Sequence, residues 1–247
     1  MNIAQYLDST YLKTPEQSGI SHEKTLQKDI ELAQEAIDKG IFAVMIRPDY
    51  VSEVKKYIQE KNSNVAVGTV IGFHEGTYSI EEKLAEASKA IEDGADELDF
   101  VINYTAYLQG DVQLVKEEFV KCTRLSLEHH KVAKWIIEIA ALTNEQIADL
   151  TKNISIWAEE NFSENDLSKI FVKSSTGFYE TTDGKPNGAT FEGITIMLEN
   201  AGKLPVKAAG GVKTPEDAEK MISMGVKRIG TSSALALIKN ESTSEGY

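Results

Sequence analysis

The sequence predicts a single-domain (β/α)8 TIM barrel, and three observations lead to that prediction. Short apolar runs alternate with longer amphipathic segments along the whole chain, and eight such pairs can be counted. Strands that alternate with helices form a parallel sheet, and eight units can close it into a barrel. The length of 247 residues suits one such domain. We place the barrel domain at residues 1–240 and a flexible C-terminal tail at 241–247.

The strands are predicted at the apolar runs, which end at turn-forming or polar residues. In chain order these runs are residues 4–7, 42–46, 65–70, 97–102, 135–139, 170–172, 206–208 and 228–230. A doubly wound open sheet is the alternative architecture, but no G-x-G-x-x-G motif follows the first strand. The barrel is therefore the preferred prediction.

The helices are predicted where apolar residues recur with helical spacing, at about 21–39, 50–61, 79–92, 111–130, 143–160, 190–201, 214–224 and 232–239. Four of these segments begin at residues that commonly cap helix N-termini, namely Ser21, Ser79, Thr143 and Thr214. Four segments end in a glycine, which favours a helix C-terminus, and these are Gly40, Gly94, Gly202 and Gly225.

Composition excludes several classes of function. The net charge of −13, from 39 acidic and 26 basic residues, argues against affinity for nucleic acid or acidic membranes. Cys122 is the single cysteine, so neither an intrachain disulfide nor a cysteine zinc cluster can form. The N-terminus lacks a signal-peptide pattern, and no apolar run is long enough for a membrane helix. We therefore expect a cytoplasmic protein.

Catalytic residues of such barrels lie at the C-terminal ends of the strands. Side chains alternate between the two faces of a strand, so the apolar positions of "ELDFVIN" pack on helices and Asp99 turns into the lumen. The same reasoning turns Glu138 inward on the fifth strand, and places Lys173 on the same face as Phe171 on the sixth. Lys207 follows on the seventh strand.

Two lysines on adjacent strands that share an enclosed space suggest covalent chemistry. Burial and a neighbouring cation both lower the pKa of an amine. An amine that is neutral near pH 7 can attack a carbonyl and form a Schiff base, with Asp99 close enough to relay protons. The alternative is structural, because Lys173 or Lys207 could form an ordinary ion pair or reach solvent at the rim.

The loops that follow the last strands predict a phosphate site. Gly210 and Gly211 follow the seventh strand, and Gly177 follows the sixth. Glycines let the backbone approach an anion closely, and the loops after strands seven and eight frequently bind phosphate in barrels. The other candidates, in the segment "RIGTSS", are Gly230, Ser232 and Ser233.

Over nearly its whole length, the chain resembles the deoxyribose-phosphate aldolase family. The similar segments are, in order, "LDSTYLK", "VIGF", "GADELDFVIN", "IIEIAALT", "FVKSSTGF", "VKAAGGVKTPEDA" and "RIGTSS". The resemblance implies a class I aldolase on a TIM barrel, which needs no metal or other cofactor. It implies reversible cleavage of 2-deoxy-D-ribose 5-phosphate to D-glyceraldehyde 3-phosphate and acetaldehyde, in deoxyribonucleotide catabolism. The resemblance also implies that the partners of the protein are small phosphosugar and aldehyde substrates, with a homodimer as a possible assembly.

The resemblance also implies roles for individual residues. Lys173 would form the Schiff base, Lys207 would lower its pKa, and Asp99 would relay protons. Tyr247, at the end of the tail, would assist proton exchange, or would be incidental to a disordered tail. Asp8, Thr10 and Thr176 would face the substrate, and the phosphate would be held by Gly177, Gly210, Gly211, Gly230, Ser232 and Ser233.

The sequence departs from the family pattern in the loops and on the second strand. Met45 stands where many relatives have a cysteine, and Arg47 follows it. His74, Ile139, Ala140 and Ala209 also replace more usual residues. None of these changes removes the two lysines or Asp99. Two other hypotheses stay open, namely another phosphosugar Schiff-base enzyme of transaldolase type and a catalytically idle barrel that binds a phosphosugar.

Overall fold

The computed structural model describes residues 2–182 and 184–239. The predicted tail and Tyr247 lie outside this part of the chain. Within it, eight parallel strands form one closed barrel in which each strand pairs with the next and β1 pairs with β8. The strands are β1 (Leu7–Thr10), β2 (Ala43–Ile46), β3 (Ala66–Ile71), β4 (Glu97–Val101), β5 (Val132–Ile136), β6 (Ile170–Lys173), β7 (Val206–Ala209) and β8 (Arg228–Thr231). The predicted (β/α)8 fold is confirmed.

The helices surround the barrel at the predicted positions. They are α1 (Pro15–Ser18), α2 (His22–Lys39), α3 (Val51–Glu60), α4 (Ile80–Glu92), α5 (Tyr104–Leu108), α6 (Val112–Glu128), α7 (Asn144–Asn161), α8 (Phe191–Asn200), α9 (Pro215–Met224) and α10 (Ala234–Ile238). The short helices α1 and α5 were not predicted, since neither is long enough to show a helical period.

The predicted helix ends follow from capping chemistry. The side chains of Ser79 and Thr143 each accept a hydrogen bond from the backbone three residues on, and both complete a capping box. The hydroxyl of Thr214 accepts from the backbone N–H of Asp217 at the start of α9. At the other end of the helices, Gly40 adopts a left-handed conformation after α2, which glycine does without steric cost.

Two predicted strands were misplaced, and both contain buried charged residues. Residues 3–6 form a 3-10 turn, and the first strand begins at Leu7 and includes Asp8. The fifth strand is Val132–Ile136 and not 135–139, so Lys134 lies inside it. Charged residues on the inner face interrupt the apolar runs that mark strands, and in β1 and β5 ion pairs take the place of apolar packing.

The apolar core lies between the outer face of the strands and the helices. Trp135 illustrates it, since its ring stacks on Phe100 with centroids 4.9 Å apart and is fully buried. The indole N–H of Trp135 donates to the Thr123 hydroxyl on α6 at 2.9 Å, which satisfies its one polar atom. Across the described residues, no helix is both long and apolar enough to cross a membrane.

Candidate active site

The barrel lumen is lined on one side by charged side chains that the strand register brings together. Asp99 on β4 is paired with Lys134 on β5, and Lys173 on β6 is paired with Lys207 on β7. Since the strands are parallel and in register, side chains at paired positions point to the same side of the sheet. All four side chains are buried.

Lys173 is the amine nearest the mouth of this cluster. It is the last residue of β6, its side chain is 5% exposed, and its Nζ donates to Asp99 Oδ2 at 2.7 Å. Burial lowers the pKa of Lys173 to about 8 from its usual 10.5, and the positive charges of Lys207 and Lys134 act in the same direction. Asp99 opposes that shift but does not cancel it. The amine is therefore substantially neutral near pH 8.

Lys207 has the opposite balance. Burial would lower its pKa, but the carboxylates of Asp8 and Asp99 outweigh burial and raise the pKa above its usual value. Its Nζ lies 2.5 Å from Asp8 Oδ2 and 2.8 Å from Asp99 Oδ2. Lys207 therefore remains a cation while its neighbour Lys173 can lose its proton.

Asp99 connects the three lysines. Its Oδ2 accepts from Lys173 and Lys207, and its Oδ1 accepts from Lys134 at 2.9 Å. Burial would raise the pKa of Asp99, but the three ammonium groups hold it well below the usual value. Asp99 is therefore ionised. Each of its oxygens accepts a hydrogen bond from a lysine, and these bonds fix the orientation of the carboxylate.

Sequence reasoning missed Lys134 because the fifth strand was placed too late in the chain. Starting that strand at Val132 puts Lys134 on an inward position by simple alternation, and this signal was available. Arg228 was also missed, although it is the first residue of the eighth predicted strand. A lone charged residue at a strand start is usually solvated, so its burial became evident only from the fold.

Arg228 closes the charged cluster deeper in the lumen. Its Nε donates to Asp8 Oδ1 at 2.7 Å, and its terminal nitrogens donate to both oxygens of Glu97 at 2.9 Å. Burial opposes the ionisation of Asp8, but Arg228, Lys207 and Lys134 hold its pKa far below the usual value. Glu97 also accepts from Lys134 at 2.5 Å. Each of these buried charges is thus paired.

The remaining predicted substrate residues lie at the same end of the barrel. Thr10 ends β1, is buried, and donates its hydroxyl to the Asp8 carbonyl at 2.9 Å. Thr176 follows β6 and bonds to Glu138, whose Oε2 accepts from both its hydroxyl and its backbone N–H. Glu138 is inward as expected but is not in a strand, because it lies two residues beyond β5 in a left-handed conformation.

The opposite wall of the lumen is apolar. Leu12, Met45 and Val70 form a small buried cluster against which Phe73 and Phe178 pack. A side chain at Gly68 on β3 would collide with the sulfur of Met45, so that glycine makes room for the methionine. Two of the other departures noted in the sequence lie around this wall, since His74 stacks on Phe178 and Arg47 lies over the Phe73 ring.

The predicted phosphate loops meet on the other side of Lys207. Gly177, Gly210 and Gly211 all have positive φ angles, and the Cα of Gly177 lies 3.6 Å from the Cβ that would be added at Gly210. The segment after Gly177 returns across this point, because the Ala189 amide donates to the Ala209 carbonyl at 3.0 Å. The sequence-distant glycines are thus brought to one place.

Hydrogen bonds within the protein occupy some of these loop groups. The Gly210 amide donates to the Gly230 carbonyl at 3.3 Å, and the Ser233 amide donates to the Thr231 hydroxyl at 3.0 Å. Gly230 lies inside β8, and a Cβ there would be 3.2 Å from Lys207 Cε. Gly230 therefore also makes room for Lys207. Gly211 and Ser232 are exposed at the end of the barrel.

The arrangement supplies the parts of amine catalysis on a carbonyl. Lys173 offers a buried amine with a pKa near neutrality. Lys207 offers a fixed cation within reach of the same carboxylate, and Asp99 offers an acceptor that contacts both. A buried amine, a fixed cation and a carboxylate are thus joined by hydrogen bonds through Asp99, which is the kind of arrangement that Schiff-base chemistry uses.

Comparison with known proteins agrees with this geometry. Residues 3–239 match the model of the DeoC/LacD family aldolases. A protein of Thermococcus gammatolerans named deoxyribose-phosphate aldolase is 39% identical over 246 residues, which cover 99% of both chains. The structure of a protein from Coccidioides immitis, provisionally named a deoxyribose-phosphate aldolase, superposes with a TM-score of 0.81 at 32% identity, covering 96% of this chain and 85% of that one. A tetrameric deoxyribose phosphate aldolase from Aeropyrum pernix gives 0.77 at 26% identity, covering 96% and 89%.

Proposed function

The chain belongs to the DeoC/LacD family of aldolases, and from that membership we propose that it is a deoxyribose-phosphate aldolase. In this proposal it cleaves 2-deoxy-D-ribose 5-phosphate reversibly to D-glyceraldehyde 3-phosphate and acetaldehyde. The observation that carries the mechanism is the buried Lys173 amine, which lies against Asp99 and beside two further cations.

Lys173 is the nucleophile. Its neutral amine adds to the C1 aldehyde of the open-chain sugar, and loss of water from the carbinolamine leaves a protonated imine. A base then removes the proton of the C3 hydroxyl, the C2–C3 bond breaks, and its electron pair passes into the imine to form an enamine. D-glyceraldehyde 3-phosphate leaves at this step. Protonation of the enamine carbon and hydrolysis release acetaldehyde and restore the amine.

Asp99 and Lys207 move the protons in these steps. Asp99 accepts from both lysines through one oxygen, so a proton can pass between the reacting group and Lys207 over short hydrogen bonds. Lys207 also keeps the site positively charged, which favours the neutral form of Lys173 before the imine forms. Asp8 and Lys134 hold these two groups in place.

The glycine loops are the proposed phosphate site. The exposed Gly211 and Ser232 and the positive-φ turn at Gly177 lie at the end of the barrel where a 5-phosphate would be held when C1 is at Lys173. Gly210, Gly230 and Ser233 complete these loops. Thr10 and Thr176 would contact the sugar hydroxyls. Asp8 would act indirectly, through its ion pair with Lys207. Tyr247, in the tail, is the proposed proton-exchange residue.

The cellular setting is part of the same proposal. A phosphorylated deoxysugar is an intracellular metabolite of deoxyribonucleotide breakdown, so we place the enzyme in the cytoplasm. A homodimer is the proposed assembly, while the related protein of Aeropyrum pernix is described as a tetramer. Sedimentation of the full chain would decide between these two states.

Reductive trapping tests the chemistry. The protein is treated with acetaldehyde and borohydride, and peptide mapping measures the N-ethyl adduct at each lysine. Lys173 should be labelled far ahead of Lys203, whose exposed side chain pairs with Glu164 on the surface. Borohydride with 2-deoxy-D-ribose 5-phosphate in place of acetaldehyde should also label Lys173 and leave Lys203 unlabelled, because cleavage of the sugar leaves acetaldehyde bound to Lys173 as an imine. Equal labelling of the two lysines would refute a Schiff-base role and favour the idle barrel.

A further inference from the structure

Glu138 is a buried carboxyl that the proposed reaction does not use. It is fully buried, and its backbone has φ 55° and ψ 69°, a left-handed conformation that is uncommon for residues other than glycine and asparagine. Two backbone hydrogen bonds hold it there, from Ile137 to the Lys173 carbonyl at 3.0 Å and from Ile139 to the Ser174 carbonyl at 2.9 Å. Backbone strain of this kind often marks a functional position.

The contacts of Glu138 fix the direction of one hydroxyl. Its Oε2 accepts from the Thr176 backbone N–H at 3.1 Å and from the Thr176 hydroxyl. The Phe178 amide donates to the same hydroxyl at 3.0 Å. A hydroxyl has one proton and two lone pairs. With its proton on Glu138 and one lone pair on Phe178, Thr176 can only accept a further hydrogen bond.

The other carboxyl oxygen points to a role beyond holding the loop. Among the described residues, Oε1 of Glu138 has no hydrogen-bond partner although it is buried. The titratable groups that face this carboxyl are Lys173 on β6 and Tyr104 on α5. Burial raises the pKa of Glu138 to about 7, and the hydrogen bonds from Thr176 and the charge of Lys173 only partly oppose it. The group can therefore exist in either form near neutrality.

We propose that Glu138 is a positioning residue that sets the hydrogen-bond polarity of Thr176 toward the sugar. This inference rests on the proposed function. With Glu138 ionised, Thr176 accepts a hydrogen bond from a sugar hydroxyl beside Lys173. When Glu138 takes up a proton, its own O–H donates to the Thr176 oxygen, and the Thr176 proton turns outward. The sugar hydroxyl must then accept a hydrogen bond from Thr176 instead of donating one. Its own proton turns away, and it loses the hydrogen bond that its oxygen accepted on the other side. The ionised form therefore binds the phosphosugar more tightly.

The test is the pH dependence of KM for 2-deoxy-D-ribose 5-phosphate in the wild type and in Glu138→Gln. In the wild type, KM should rise about tenfold as the pH falls through the titration of Glu138, the loss expected for one hydrogen bond. In Glu138→Gln, KM should be high at every pH and show no such step, while kcat changes less than KM. Glu145→Gln removes an exposed carboxylate from the start of α7 and should keep the wild-type profile.

A second variant separates this role from a purely structural one. Thr176→Val removes the hydroxyl but keeps the side-chain shape, so it should abolish the pH step on its own. Adding Glu138→Gln to it should then raise KM no further, because the carboxyl acts through the missing hydroxyl. A pH step that survives in either variant would overturn the proposal. If Glu138→Gln does not fold, Thr176→Val alone still decides it.

Failure of this inference is distinguishable from failure of the proposed function. Acetaldehyde has no hydroxyl group, so it cannot report on Thr176, and its trapping tests Lys173 alone. If the wild type is not labelled at Lys173, the Schiff-base mechanism is wrong. If the wild type is labelled but Glu138→Gln has the wild-type KM profile, the mechanism stands and the role of Glu138 is refuted.

Discussion

The pKa of Lys173 is set by a balance between burial and three neighbouring charges. Burial and the cations of Lys207 and Lys134 lower its pKa to about 8, and Asp99 acts against them. Asp99 shares its negative charge among three lysines, so it opposes the shift less than an unshared carboxylate would. The same carboxylate raises the pKa of Lys207, together with Asp8. Two chemically identical residues thus differ in protonation because only one has two carboxylates beside it.

This balance predicts the effect of Lys207→Met. Removing the positive charge should raise the pKa of Lys173, so that labelling by acetaldehyde and borohydride needs a higher pH. The rate at pH 7 should fall about tenfold for each unit of increase. Loss of the proton carrier as well should lower kcat/KM by about 10² to 10³. The measurement is the pH profile of Lys173 labelling, followed by peptide mapping.

Two control variants accompany it. Lys207→Arg keeps the charge and should leave the midpoint of the labelling profile close to that of the wild type. Lys203→Met removes an exposed lysine and should change neither labelling nor turnover. A midpoint in Lys207→Met that equals the wild-type midpoint would show that Lys207 does not control the amine.

At the scale of single elements, the helices were predictable because their signals are local. Capping residues such as Ser79 and Thr143 and terminal glycines such as Gly40 act through hydrogen bonds within a few residues. The bounds of the strands β1 and β5 were missed, because Asp8 and Lys134 interrupt the apolar runs that mark strands and their charges are compensated from other strands. Asp8 is stabilised from β8 and β7, and Lys134 from β4.

Helix α2 contains a buried carboxyl group that stays protonated below about pH 8. Asp29 lies on the face of α2 that packs on the barrel, is fully buried, and neither of its oxygens has a hydrogen-bond partner among the described residues. Burial raises the pKa of Asp29 to about 8 from 3.8. The folded protein therefore holds a proton that the unfolded chain has lost between these two pH values.

The sign of the resulting pH dependence follows from linkage. The contribution of Asp29 to stability is fully present below its unfolded pKa and is lost as the pH rises toward about 8. Asp29→Asn stays neutral, so it should be more stable than the wild type at pH 8, by about 2 to 4 kcal/mol, with little gain at pH 4. Urea unfolding at the two pH values measures this difference.

Asp38→Asn is the matched control for this prediction. Asp38 lies on the same helix but is exposed and accepts a hydrogen bond from Gln34. Its substitution should change stability by less than about 0.5 kcal/mol at either pH. A gain for Asp29→Asn that is the same at both pH values would rule out titration as its cause.

For the whole molecule, the lumen is divided into a charged half and an apolar half. The charged half runs from β4 through β8 to β1, and the apolar half is formed around β2 and β3. A reacting amine needs neighbours that shift its pKa, and the apolar wall excludes the water that would weaken their charges. Closure of the barrel brings both halves around one space.

Arg228 joins three strands that are distant in the sequence, and its loss should destabilise the barrel. It binds Asp8 on β1 and Glu97 on β4 from its position on β8. Arg228→Met leaves two buried carboxylates with fewer partners, so the free energy of unfolding should fall by about 3 to 5 kcal/mol. Chemical denaturation measures the change.

Arg124→Met provides the comparison, because Arg124 packs over the Phe162 ring and forms no ion pair among the described residues. It should cost about 1 kcal/mol or less. Adding Asp8→Asn to Arg228→Met should recover part of the loss, since it removes one of the two carboxylates that lost a cationic partner. Similar losses for the two arginine variants would show that the buried network contributes nothing beyond packing.

The sequence by itself determined the barrel, its eight repeats, the helix ends, and the inward direction of Asp99, Lys173 and Lys207. Periodicity, capping and alternation are local properties of a chain, and they are fixed before it folds. Only the tertiary structure decided that Lys134 and Arg228 belong to the same cluster, that Lys207 stays charged while Lys173 does not, and that Glu138 contacts Thr176. The physical reason is that pKa values and ion pairs depend on distances through space, and those distances exist only once the eighth strand has closed on the first.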